Sequence, residues 1–147
     1  MDNKKLSEEQ AALLNNIGLF VKELNCLYGL AELIAKYNDS LEEVFSGTLS
    51  LIPSAWQYTD ITCARIIFRG REFKTDDFKI TPWKQSAAIR VFNAGAGAIE
   101  VYFLDERPQM AEGPFLAEER RLINALADRL GSAAERKQME EDLAKAK

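Results

Sequence analysis

The chain has 147 residues, 47% hydrophobic and 29% charged, with a net charge of −4. That length predicts one domain, large enough to bury a core without a metal or disulfide staple. The acidic balance disfavours nucleic-acid backbones, which need clustered Lys and Arg. No apolar run approaches the ~18 residues of a membrane span. The N-terminus, MDNKKLSEEQ, lacks the apolar core of a signal peptide. With two cysteines and no export signal, the expected compartment is a reducing cytoplasm. Histidine is absent. The commonest general acid–base, the usual haem and zinc ligands and any His-dependent nucleophile are therefore missing, and so is a phosphoacceptor histidine.

In chain order, Ser7 to Gln10 (SEEQ) reads as a capping box that opens a helix over about 7–37. Leu13, Ile17, Phe20, Leu24, Leu27, Ala31 and Ile34 recur with spacing 4-3-4-3-4-3, a seam of period 3.5. Leu14, Val21, Leu30 and Leu33 widen the stripe. Such a helix can bury one side on its own domain and another on a second subunit, or the whole stripe can be core. Asn38, Asp39 and Ser40 interrupt it, and Ser40 to Glu43 (SLEE) is a second capping box. The second helix carries Leu41, Val44, Phe45, Leu49 and Ile52 and is expected to end at Pro53.

After the loop AWQYTD, Ile61 to Phe68 and Glu72 to Thr75 form a predicted hairpin joined at Arg69-Gly70. DDFKITP is a connector. WKQSAAIRVF is a third strand. Asn-Ala-Gly-Ala-Gly is a turn tolerant of positive φ, and a fourth strand follows it. RPQMAEGPF is a loop. From Ala117 a last helix runs on with Leu122, Ile123, Leu126, Ala127 and Leu130 on its buried side. Strands clustered between helices predict an α+β fold: an antiparallel sheet with helices on one face.

Several stretches carry a resemblance. GAIEVYFLDE followed by EGPFLAEERRLINALADRLGSAAERKQMEE resembles the C-terminal half of a GAF domain. Gly97, Ile99 and Val101 fit that family's strand. Phe115, Glu118, Glu119, Leu122, Ile123, Leu126, Ala127 and Leu130 fit its helix. ELNCLYGLAELI and WQYTDITCARI are similar to the subgroup found beside PAS domains and histidine kinases in prokaryotic sensor proteins. The resemblance covers about residues 23–137. It implies a GAF-like (profilin-like) sheet with long N- and C-terminal helices packed on one face. The expected divisions are a helical extension and dimer helix over 1–22, the GAF-like domain over 23–131 and a connector helix over 132–147.

In GAF-containing sensors the last helix leaves the domain and leads to the next module. Here Leu130, Ala133 or Ala134, and Lys137 continue a thinning seam, and ERKQMEEDLAKAK alternates acids and bases beyond it. A helix of this kind is marginal alone. The expected partner is a second copy, with Leu13, Ile17, Phe20, Leu24, Leu130, Ala134 and Lys137 at the dimer interface and an output domain such as a kinase attached.

The resemblance also implies a ligand face on the sheet side away from the terminal helices. Alternation puts Ala64, Ile66 and Phe68 towards the helices and Cys63, Arg65 and Ile67 away from them. By the same alternation Arg90, Glu100 and Tyr102 face the ligand side. With the fourth strand between the first and third, Arg65, Glu100 and Arg90 are expected in one row. That row either receives a small anionic ligand or is a cross-strand ion ladder on a solvated face. The candidate ligand residues are thus Arg65, Arg90, Glu100, Tyr102 and Cys63.

Asp76 to Pro82 is too short for the lid helices of larger GAF domains. The cyclic-nucleotide signature Asn-Lys-x-Phe-x-Asp-Glu is absent, and haem, bilin and zinc are disfavoured without His. Cys26 and Cys63 read as small buried hydrophobes. Trp56, Tyr58, Phe73, Phe78 and Trp83 read as core or rim aromatics. The expected function is non-catalytic: a sensory, signal-transmitting domain of the two-component type, with no metal required by the sequence. The alternatives are a dimerisation scaffold without ligand and, more remotely, a small cysteine-based redox enzyme.

Overall fold

The computed structural model describes residues 7–146, so residues 1–6 of the expected N-terminal extension and Lys147 lie outside it. Three α-helices and four strands follow in the order α1 (Glu8–Lys36), α2 (Leu41–Ala55), β1 (Thr62–Phe68), β2 (Arg71–Lys74), β3 (Lys84–Val91), β4 (Ala94–Phe103) and α3 (Ala117–Lys145). A 3-10 turn, Thr59–Ile61, replaces the first residue of the expected first strand. The fold is α+β.

The helix starts follow the capping chemistry. Gln10 N–H donates to Ser7 Oγ at 3.1 Å, and Ser7 N–H donates to Gln10 Oε1 at 3.1 Å. At α2 only half of the expected box forms. Glu43 N–H reaches Ser40 Oγ at 3.4 Å, but Ser40 N–H is already given to Tyr37 O at 2.9 Å. Pro53 does not end α2. It sits in the last turn, where its missing N–H costs a single bond, and Trp56 N–H still reaches Ile52 O at 3.3 Å.

The sheet is antiparallel in the order β2-β1-β4-β3. Both hairpins turn on two residues of positive φ, Arg69-Gly70 and Phe92-Asn93, the geometry that matches strand twist. The second turn lies earlier than expected, and Ala94 to Gly97 already belong to β4. Phe92, a bulky residue in the left-handed region, is held there by its N–H donating to Glu135 Oε2 at 2.8 Å.

Ala64, Ile66 and Phe68 of β1, Ile89 and Val91 of β3, and Ile99, Val101 and Phe103 of β4 are buried on the inner face. They pack with Val44, Phe45, Leu49 and Ile52 of α2 and Leu122, Ile123, Leu126 and Leu130 of α3. α3 crosses β3 at Gly131, where an added Cβ would collide with the Arg90 carbonyl. The expectation that both terminal helices lie on the sheet is corrected: α2 and α3 cover it, and α1 packs chiefly on those two helices. The reason lies in α1 itself, which buries only Cys26 and Leu30 fully and turns most of its apolar stripe outward.

α1 and α3 run side by side in the same direction. Arg121 forks onto Glu23 at 2.7 and 3.1 Å, and Lys137 Nζ donates to Asp39 O at 2.8 Å. Each contact joins residues 98 apart in the sequence. This common offset fixes a parallel, in-register pair. Residues 8–18 of α1 consequently run about 16 Å past the start of α3, and residues 135–145 of α3 run about 16 Å past the end of α1 at the opposite pole.

Candidate functional site

The outer sheet face brings together four of the five expected ligand residues. Arg65 pairs with Glu100 across β1 and β4, and Cys63 pairs with Tyr102. Arg65 Nε donates to Glu100 Oε1 at 2.8 Å, Arg65 Nη1 to Glu72 Oε2 at 2.8 Å, and Tyr102 Oη to Glu100 Oε1 at 2.9 Å. Arg90 is not in this row. The register sets Ser86 opposite Glu100, and a bulge after Ile89 leaves Arg90 opposite Gly95 near the hairpin end. The second cation at Glu100 is instead Lys84, with Nζ at 3.5 Å from Oε2.

The electrostatics follow from these contacts. Burial pushes the Glu100 carboxyl up, but hydrogen bonds from Arg65 and Tyr102 with the Arg65 and Lys84 charges hold it below the usual range. The Arg65 hydrogen bond also lowers Glu72. Burial and the bond to Glu100 raise the Tyr102 phenol. Arg65 is thus engaged by two carboxylates of its own chain, an internal ladder rather than an open anion receptor.

The connector after β2 closes this face. Phe78 meets the Tyr102 ring edge-on at 5.3 Å and lies under the Arg65 guanidinium at 5.1 Å. Cys63 Sγ approaches Lys79 O at 3.7 Å, and Thr81 Oγ1 donates to Phe103 O at 2.7 Å. Under this cover Cys63 and Tyr102 are fully buried. Of the other aromatics, Trp56 is core, while Tyr58, Phe73 and Trp83 are half-buried against it.

The helical side divides the expected dimer residues. Leu13, Ile17, Phe20 and Leu24 are 60%, 50%, 54% and 48% exposed, and Leu14, Val21 and Tyr28 widen the exposed stripe. Leu130 and Ala134 are corrected: both are buried in the chain's own core. Lys137 is committed to Asp39 O and lies 3.7 Å from Glu141. The exposed apolar residues at the end of α3 are Met139 and Leu143, whose i, i+4 spacing was the missed signal. The α1 stripe leads into a groove of about 400 Å³ between α1 and α3, lined by Ala31, Ile34, Ala35, Ser132 and Ala133 among others.

Glu119 ties α3 to the segment after α2. It is buried, accepting Gln57 N–H at 2.7 Å and Leu116 N–H at 2.8 Å. Burial pushes its carboxyl up more than these bonds pull it down. Burial also raises both thiols, Cys26 to about 12, which opposes thiolate chemistry. Among the described residues no group of three or more His, Cys, Asp or Glu converges as a metal site, and no helix is long and apolar enough to cross a membrane. No family model, curated protein or solved structure matches the chain.

Proposed function

We propose that the chain is a GAF-like sensory and signal-transmitting domain. It dimerises through the α1 stripe and passes a signal along α3 to an attached output module such as a histidine kinase. The GAF reading rests on the residues and spacings of the sequence. The supporting structural observation is the helix pair: an exposed apolar stripe on α1, with α1 and α3 parallel and overhanging opposite poles.

The seven apolar and aromatic residues of the stripe from Leu13 to Tyr28 are 46% to 68% exposed. With each residue taken as roughly 150–210 Å², that is on the order of 700 Å², somewhat above the roughly 300–600 Å² of a typical monomer's largest apolar patch and close to the ~800 Å² per partner of a standard interface. Its a, d and e positions suit a bundle of more than two helices. The small residues of the α1–α3 groove let a partner helix approach closely. In a parallel dimer the two α3 ends leave side by side, where a change in pairing angle reaches whatever follows.

Ile17→Cys tests the pairing. In the parallel dimer the new thiols meet across the two-fold axis, and mild oxidation yields a disulfide-linked dimer. The native thiols are buried and do not interfere. A chain that stays monomeric under oxidation at high concentration contradicts the proposal.

A purely structural dimerisation scaffold is the second reading. Phe78 over the outer sheet face and the internal pairing of Arg65 favour it. The two readings share the dimer and differ in whether the domain receives an input.

A further inference from the structure

A cleft of about 310 Å³ opens between the start of α2, the β1–β2 turn and α3. It lies away from both the outer sheet face and the α1 stripe. Its floor is apolar: Leu41, Phe45, Phe68 and Phe73, with Phe45 5.0 Å from Phe68 and 5.3 Å from Phe73 between ring centroids. That volume is at the small end of ligand sites, and an apolar floor with a few polar groups at the lip is their usual chemistry.

The lip carries Arg69, Arg71 and Lys137 against Asp39 and Glu42, and Glu141 beside Lys137 brings the local charge balance to zero. Arg71 is paired with Glu42, and Lys137 is held by Asp39 O and Glu141. Arg69 has no carboxylate partner among the described residues. Its guanidinium lies over the Phe68 ring at 5.1 Å, at the edge of the floor. A desolvated aromatic floor beside an unpaired, fork-shaped cation selects an anion with an apolar body.

We propose that this cleft binds a small monocarboxylate with a compact apolar body, its carboxylate on Arg69 and its body against Phe45, Phe68 and Phe73. Arg69 is the lip cation without a carboxylate partner, and the four floor residues carry no hydrogen-bonding group for a polar body, the Ser40 hydroxyl at the rim being engaged by Glu43 N–H. The lip residue Lys137 belongs to α3. Occupancy therefore bears on the bond to Asp39 O that ties α3 to the end of α1. This last step rests on the relay reading, whereas binding does not: a chain that binds here but sediments as a monomer keeps the site and loses the relay.

The test is a ¹⁵N–¹H correlation titration of the full chain with 3-phenylpropionate, beside 3-phenylpropan-1-ol and acetate. The expected result is saturable shifts at residues 39–42, 68–73 and 137, with at least tenfold weaker binding of the alcohol and none of acetate. Arg69→Gly keeps the positive-φ turn and should weaken phenylpropionate at least tenfold with signal dispersion unchanged. Arg69→Asn, also tolerant of that φ, repeats the measurement should the glycine variant lose dispersion. Absence of saturable shifts, shifts centred elsewhere, equal affinity for the alcohol, or unchanged affinity in the folded variants overturns the proposal.

Discussion

Phe20→Asp isolates the α1 stripe from the fold. Phe20 is 54% exposed, so about 110 Å² of an aromatic residue of roughly 200 Å² is open to a partner. If the partner covers half of that, each copy contributes ~1.4 kcal/mol at ~25 cal/mol/Å², about 3 kcal/mol per symmetric dimer. Losing it weakens dimerisation about a hundredfold, before the cost of facing two aspartates across the axis. The folded monomer should be almost unaffected, because exposed sites away from core contacts change stability by ~0.5 kcal/mol or less. Asn25→Asp adds the same charge to an exposed position outside the seam and serves as the control. Sedimentation equilibrium on the three proteins reads the dissociation constants, and thermal melts at a concentration where all are monomeric read the fold. A wild-type monomer at hundreds of micromolar, or a Phe20→Asp dimer as tight as the control, refutes the reasoning.

Two further outcomes concern the body of the domain. Gly131→Ala should cost about 1–3 kcal/mol, because its Cβ meets backbone of β3 rather than a side chain that could yield. Gly95→Ala, with open space around it, should melt near the wild type; equal melting of the two variants by calorimetry would contradict the α3–β3 contact. The pH dependence splits by carboxylate. Glu119 is raised, so its contribution is fully present below about 4.5 and lost as pH rises through its elevated value; Glu100 is lowered, so its contribution is present above about 4.5 and lost as pH falls. Urea melts of Glu119→Gln and Glu100→Gln against wild type from pH 3 to 8 should give stability differences of opposite slope. A flat difference for either would remove the corresponding assignment.

Element types were legible because apolar residues recur with the period of the backbone they sit on. The 3.5 spacing from Leu13 to Ile34 marked α1, and alternation around Ala64, Ile66 and Phe68 gave the inner face of β1. Register was legible only in part: Arg65 does face Glu100, but the third member of the row is not Arg90. Parity put Arg90 in that row, but the bulge after Ile89 and a two-residue turn at Phe92-Asn93 decide which residue faces Glu100. A strand pattern carries no mark for either. The connector 76–82 has no period at all, so nothing announced that Phe78 would cover the sheet. The spacing of Leu130, Ala134 and Lys137 is that of a seam, yet spacing does not name the partner. The first two were claimed by the core and the third by Asp39.

The same packing locates the softest interface of the molecule. α3 is joined to the sheet by Leu122, Ile123, Leu126 and Leu130 and by the backbone contact at Gly131, so displacing it there disrupts core packing. Between α1 and α3 the direct polar ties are Arg121 to Glu23 and Lys137 to Asp39 just past the end of α1. Arg121 is 61% exposed but Glu23 only 12%, so this forked pair lies at or above the ~1 kcal/mol ceiling of exposed pairs. α1 fully buries two apolar side chains where α2 and α3 bury many. Towards α2, by contrast, α1 packs more extensively, closely enough that a Cβ at Gly29 or Gly47 would meet Leu51 or Leu33, so a slide or rotation costs less at the α1–α3 contact than at the α1–α2 contact. A dimer built on α1 would hold α1 and α2 together and let motion enter at the α1–α3 contact. The overhang of α3 would then carry that motion to the pole opposite the α1 overhang.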